Sequence, residues 1–330
     1  MMPLRSIGRL VAFLAAITAF NAPSATVAAT TPAYPERPVR LVVGFPPGGG
    51  SDTVARIIAP KLTEALGRPW VVDNRGGAAG NFATEIVAKA DPNGYTVLLV
   101  QGTSLTVNPT LYKLNFNVAK DLQPVILMAV AQYMFVASPS LKVSTLKEFV
   151  DLAKAQPEKL NYASAGSGGP HHLAAELFKM RAGINMVHVP YKGGGPAVLA
   201  LLANEVQAMF GSLPSLLPQV RAGRIKALGV TGSVRSAAAP EIPTVAESGY
   251  PGFDVTSWFG LLVPARTPET IVKLLYETTS KTLEMPDVKE AIRREGLEVA
   301  TKDPDRLSAY INAETALWAN VVKKAGIRVD

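Results

Sequence analysis

The 330 residues contain no cysteine, which excludes disulfides, thiolate metal sites, a cysteine nucleophile and the lipid-modified cysteine of a bacterial lipoprotein. A formal charge of +7 over this length is too dilute to mark a nucleic-acid surface, although a mild positive field suits an anionic ligand. The 48% hydrophobic content is ample for two cores, and chains of this length usually form two domains.

Arg5 and Arg9 precede an apolar run at 10–20, and small residues follow through Ala25, Ala28 and Ala29. This is the pattern of a secretory signal peptide over residues 1–29, cleaved after Ala28 or Ala29. The run falls short of the roughly 20 residues that cross a bilayer, and Asn21 and Pro23 follow it directly, which disfavours an uncleaved anchor. Losing both arginines leaves the mature chain at about +5. No later segment is long and apolar enough to span a membrane, so the expected product is a soluble periplasmic monomer.

After Arg37 the chain alternates strand, glycine-rich turn and helix, the rhythm of parallel sheets covered by helices on both faces. Buried strands are predicted at 39–43, 71–72, 95–100, 160–163, 187–189, 206–210 and 225–230. The first helix follows 39–43, with Val54, Ile58, Leu62, Ala65 and Leu66 at helical spacing and Gly67 as its stop. Further helices fall at about 82–90, 144–155, 171–182, 196–203 and 214–222. The alternation breaks at 125–137 and again at 255–264, long apolar segments that read as strands crossing between domains. Domain 1 is thus expected over 34–137 plus 258–330, closing with helices at about 268–284 and 304–325, and domain 2 over 138–257. The stretch 240–243 reads as a surface loop leading into a turn capped by Thr244.

The segment Gly44-Phe45-Pro46-Pro47-Gly48-Gly49-Gly50-Ser51-Asp52 lies between a buried strand and a helix, where parallel sheets place their ligand sites. Three consecutive glycines can turn N–H groups inward, and the helix start adds partial positive charge, an arrangement suited to an anion. The segment lacks a P-loop lysine and the spaced glycines of a dinucleotide site. The same nine residues also read simply as a tight turn whose helix Ser51 or Asp52 caps. A second strand-to-helix turn of this kind, Ser164-Ala165-Gly166-Ser167-Gly168-Gly169-Pro170, opens a helix at His171. One such loop in each domain can hold a carboxylate with neutral N–H and hydroxyl donors, without burying a cation. Gln101–Ser104, Tyr191 to Gly195 and Gly211 to Pro214 follow their own strands, and 74–80 is another glycine-rich loop, with Asn81 positioned to cap the next helix. Lys192, the one cation in the loops at 101–104, 191–195 and 211–214, reads at least as well as a solvated loop lysine.

Catalytic readings find little support. Ala165-Gly166-Ser167-Gly168-Gly169 is a variant nucleophile elbow, but the chain's three histidines are His171, His172 and His188, and His188, the only later candidate, follows Ser167 too closely for the hydrolase order of serine, acid and histidine. A serine hydrolase using Ser167 therefore stands as a minor alternative, and no cofactor, metal set or calcium-loop spacing is apparent.

The joint presence and order of Tyr34-Pro35-Glu36-Arg37-Pro38, the 45–52 loop, Asn74-Arg75-Gly76-Gly77-Ala78-Ala79-Gly80, Asp91-Pro92-Asn93-Gly94-Tyr95, Gly166-Ser167-Gly168 and Val189-Pro190-Tyr191-Lys192-Gly193 are specific. Along essentially the whole mature chain they resemble the tripartite tricarboxylate transporter receptors, the Bug or TctC-type periplasmic solute-binding proteins. The resemblance implies an α/β, type II-like Venus-flytrap fold with a ligand cleft between two domains. It implies an organic-acid ligand, such as a dicarboxylate, tricarboxylate, acidic amino acid or aromatic acid, passed to a two-subunit inner-membrane permease. Carried over by position, the carboxylate-holding role falls to Phe45, Gly48, Gly49, Gly50, Ser51 and Asp52 on one side and Ala165, Gly166, Ser167 and Gly168 on the other. Thr103, Ser104, His171, Tyr191 and Ser212 are further lining candidates. A sensory receptor serving a signalling partner would share this fold and cleft.

Overall fold

The computed structural model describes residues 34–48 and 50–328; the expected signal peptide and Gly49 lie outside them. Val39–Val43 forms β1, its valine and leucine side chains buried, and leads through the first glycine loop into α1 (Gly50–Leu66). Val54, Ile58 and Leu62 recur every fourth residue on α1 and are fully buried against the sheet. Next come β2 (Trp70–Asn74), a single 3-10 turn at Ala78–Gly80, α2 (Asn81–Ala88) and β3 (Thr96–Gln101). Strand β1 pairs in parallel with both β2 and β3, so the loops after β1, β2 and β3 emerge at one end of the sheet.

Three short helices follow: α3 (Thr103–Thr106), α4 (Asn108–Leu111) and α5 (Val118–Asp121). Each is a single turn, too short for the 3.6-residue periodicity to register in sequence. The long strand β4 (Leu122–Ala137) then leads to α6 (Leu146–Ala155), whose start is fixed by a reciprocal capping box between Thr145 and Glu148. A second parallel unit comprises β5 (Asn161–Ser164), α7 (Pro170–Ala182), β6 (Val187–Pro190), α8 (Gly194–Leu202) and β7 (Ala208–Ser212). It continues through α9 (Leu213–Arg221) and β8 (Lys226–Val230), and the chain returns along β9 (Thr256–Pro264). It finishes with α10 (Glu269–Glu284), α11 (Pro286–Arg294), β10 (Glu298–Lys302) and α12 (Pro304–Ala325).

The strands follow the order β2-β1-β3-β9-β4-β7-β5-β6, with β8 and β10 also pairing to β4. Strand β4 serves both halves: Leu122 to Gln132 pair antiparallel with β9, and Tyr133 to Ala137 pair with β7 and β8. The two long apolar segments expected at 125–137 and 255–264 are one long strand and its antiparallel partner. Two expectations need correction. Strands β2 and β6 were read as buried, but both end the sheet, and Val71 and Val187 are 51% and 44% exposed because each strand has a neighbour on one side only. Asn81, expected to cap α2, is instead its first residue, and its Oδ1 accepts a hydrogen bond from Asn108. The Thr244 turn forms as expected, with the Glu247 N–H donating to Thr244 Oγ1 and the Thr244 N–H donating to the Glu247 carboxylate.

Each half has its own packing. Leu41, Ile58, Leu99, Ile126 and Leu261 fill one face of the first half, and Val42, Leu98, Trp258, Leu307 and Ile311 the other. The second half is built around Phe135, which stacks on Phe210 at 4.3 Å and meets Phe149 edge-on at 5.0 Å. Trp318, Val321 and Val322, from the last turns of α12, join the cluster of Phe135 and Phe178, so this helix packs against both halves.

Candidate functional site

The first glycine loop is shaped by Asp52. Its carboxylate is 3% exposed and accepts hydrogen bonds from the Gly48 N–H (3.0 Å), Arg56 Nε (2.8 Å) and Asn74 Nδ2 (3.0 Å). Arg56 above all, with Gly48 and Asn74 and against the cost of burial, holds this carboxyl at a pKa of about 2. Asn74 also donates to the Phe45 carbonyl (3.0 Å), so one amide ties the loop to β2. Asp52 is thus turned into the protein as the pin of the loop, and one glycine N–H is spent on it. Ser51 is buried beside it with its hydroxyl unpartnered, while Gly48 and Gly50 are exposed.

The second loop rests on an aromatic and polar stack. Ser164, fully buried at the end of β5, donates to the Gly166 carbonyl (3.0 Å) and pairs with His188 Nε2 (2.7 Å). The Gly168 N–H donates to His172 Nδ1 (3.0 Å). The rings of His172 and His188 stack at 3.8 Å, and His188 stacks in turn on Tyr162 at 4.9 Å. Below them Tyr162 and Lys179 both donate to Glu176. Burial, reinforced by His172, pulls His188 down to a pKa of about 4, and burial also lowers His172. Gly166 and Gly168 sit at φ +141° and +72°, so glycine is required for this loop to turn. Helix α7 then starts with no side-chain cap, no acid in its first turn and Pro170 near its start.

Between the halves lies a cavity of about 240 Å³. Phe45, Ala79, Gln101 and Thr103 line it from one side and Ser167, Gly168, Gly169 and Pro170 from the other; Val107, Asn108, Leu111 and Tyr112 complete the wall. Of the residues singled out from sequence, Phe45, Thr103, Ser167 and Gly168 meet there. The others take different places. Ser104 donates to the Ala79 carbonyl at 2.9 Å, holding the wall from behind. Ala165 and Gly166 form the half-buried approach to Ser167, with the Ala165 carbonyl accepting from the Gly193 N–H at 3.2 Å. His171 packs edge-on against Tyr133 at 5.2 Å, its Nδ1 buried and unpartnered, and burial lowers its pKa to about 4. The Tyr191 hydroxyl points to Glu205 at 3.4 Å, and Ser212 pairs with Ser215 at 2.7 Å.

The wall residues missed in sequence come from two places. Ala78 and Ala79 adopt φ +47° and +55°, a backbone few residues other than glycine accept, and the Asn108 amide fixes this turn by donating to the Ala79 carbonyl at 3.0 Å. Val107, Leu111 and Tyr112 lie on or beside the one-turn helices. Ser167 has no histidine partner among the described residues: His188 binds Ser164, His172 binds the Gly168 N–H and His171 faces Tyr133. No group of three or more histidine or acidic side chains among the described residues converges as a metal site.

A cavity closed by loops from two α/β halves, with crossing strands between them, defines a solute-binding protein of the periplasmic type. The chain belongs to the tripartite tricarboxylate transporter family of receptors, whose model matches residues 54–327. It is 36% identical over 323 residues to protein BugT of Bordetella pertussis, covering 97% of this chain and 98% of that one. Among solved structures it is similar to an R. palustris protein with adipate (35% identity, TM-score 0.72, 89% of this chain and 99% of the other). It is likewise similar to MatC from Rhodopseudomonas palustris with bound malate (32% identity, TM-score 0.67, 88% and 100%).

Proposed function

We propose that the protein, exported by residues 1–29, captures a small organic carboxylate in the periplasm and hands it to a two-subunit inner-membrane permease, with no chemical step of its own. The carrying observation is the cavity that Phe45 and Thr103 share with Ser167 and Gly168. Adipate and malate in two similar structures support a carboxylate ligand. The lack of a histidine beside Ser167 among the described residues supports binding without turnover. In this reading 34–137 with 258–330 and 138–257 act as two lobes. They close about the handover in β4 at Gln132 and Tyr133 and the facing start of β9, because only the closed form brings both glycine loops onto one ligand.

Thermal melting against a panel of carboxylates tests it. A ligand at a hundred times its Kd adds about 2.7 kcal/mol to the folded state and raises the midpoint. An absence of any shift across mono-, di- and tricarboxylates would remove the reading.

A further inference from the structure

The two glycine loops differ as anion sites. At the start of α1 a negative charge is already in place: Asp52 lies in the first turn, takes the Gly48 N–H and is kept ionised by Arg56. A ligand carboxylate brought there finds the Gly48 N–H already taken by an Asp52 that is itself paired with Arg56. Helix α7 has neither acid nor side-chain cap in its first turn, so its first N–H groups lack intrahelical acceptors. The exposed Ser167 hydroxyl stands beside them at the cavity.

The opposite wall offers little to a second carboxylate. Among the described residues, no Lys, Arg or His side chain lines the cavity. The Asn108 amide is committed to the Ala79 carbonyl and Asn81 Oδ1, and the Gln101 amide donates to Ser257 at 2.8 Å. Phe45, Ala79, Val107 and Leu111 supply most of the rest of that surface, with the neutral hydroxyl groups of Thr103 and Tyr112 beside them. The far charge of a dicarboxylate would meet only neutral groups there, whereas an apolar body is favoured against Phe45, Val107 and Leu111. The volume of about 240 Å³ exceeds the roughly 150 Å³ of an apolar cavity that accepts benzene, leaving space for one ring and one carboxylate.

We infer that the ligand is a monocarboxylate with a flat apolar body, an aromatic acid, whose carboxylate sits at the start of α7 by Ser167 and whose ring lies against Phe45, Val107, Leu111 and Tyr112. This rests on the carboxylate-capture reading. Titration calorimetry of the mature protein with benzoate, phenylacetate, malate and adipate tests it. One of the aryl acids should bind at least tenfold more tightly than malate or adipate. Leu111→Asn should weaken that aryl acid about tenfold, with a cooperative melt confirming that the variant is folded. Should Leu111→Asn unfold, Tyr112→Ala provides the same comparison from the half-buried neighbouring position. Binding of malate or adipate in preference to both aryl acids would overturn the inference and leave carboxylate capture standing. No binding by any of the four acids, nor by a wider carboxylate panel, would overturn both.

Discussion

Single residues at this site divide between those that face a ligand and those that hold the loops still, and the division follows from where their hydrogen bonds go. Asp52 has the composition of a ligand contact and the geometry of a pin, since its acceptors are filled by Gly48, Arg56 and Asn74. Asp52→Ala is expected to cost about 1–3 kcal/mol in urea denaturation, because it strands the part-buried Asn74 donor as well as removing a charge-assisted bond. His188 makes a second prediction. It stays neutral against Ser164, His172 and Tyr162, with Glu176 and Lys179 nearby, and its pKa falls to about 4 from the ordinary 6.5. Between these values the unfolded chain binds the proton more readily than the folded one, so stability is full above pH 6.5 and declines as pH falls toward 4. Melting midpoints measured across this range should drop on acidification. In His188→Asn the drop should be shallower, and an unchanged slope would show that this ring does not carry the effect.

At the scale of elements, the turns between strand and helix do the positioning. Gly168 holds φ +72° and its N–H meets His172 Nδ1, so a β-branched side chain there is strained and displaces the loop that carries Ser167. Gly168→Val should lose at least tenfold in ligand affinity by calorimetry while its unfolding stays cooperative. Normal binding by this variant would mean that the loop only joins β5 to α7. The strand–turn–helix alternation was legible because buried strands and amphipathic helices differ in period, and α7 and α12 fall within a residue of their expected limits. The one-turn helices α3 and α4 left no periodic trace, and they carry Leu111 and flank Tyr112. Strand β10 and helix α11 also went unread. The former is a short strand with half-buried side chains, and the latter is nine residues in which Val288 and Ile292 alone are buried.

For the whole molecule, one strand shared by two halves sets the mechanics. Strand β4 exchanges β9 and β10 for β7 and β8 at Gln132 and Tyr133, and α12 packs against both sides. The closure proposed above would be a rotation about this crossing and would compact the particle. Small-angle scattering with and without a saturating acid ligand should give a smaller radius of gyration in its presence. An unchanged radius would argue for a site formed before the ligand arrives.

The sequence by itself determined the class of fold, the main alternation of strands and longer helices, the two glycine loops and the family, because these depend on local periodicity, turn chemistry and motifs read in order. It did not determine which of those residues would meet. Phe45, Thr103, Ser167 and Gly168 lie together, while Ser104, Tyr191 and Ser212 bond elsewhere, because a side chain's direction depends on neighbours distant in the chain. Only the tertiary structure decided that Asp52 already fills the charge at the start of α1 and that Val107, Leu111 and Tyr112 line the opposite wall. Both follow from packing across strands and loops that no local pattern records.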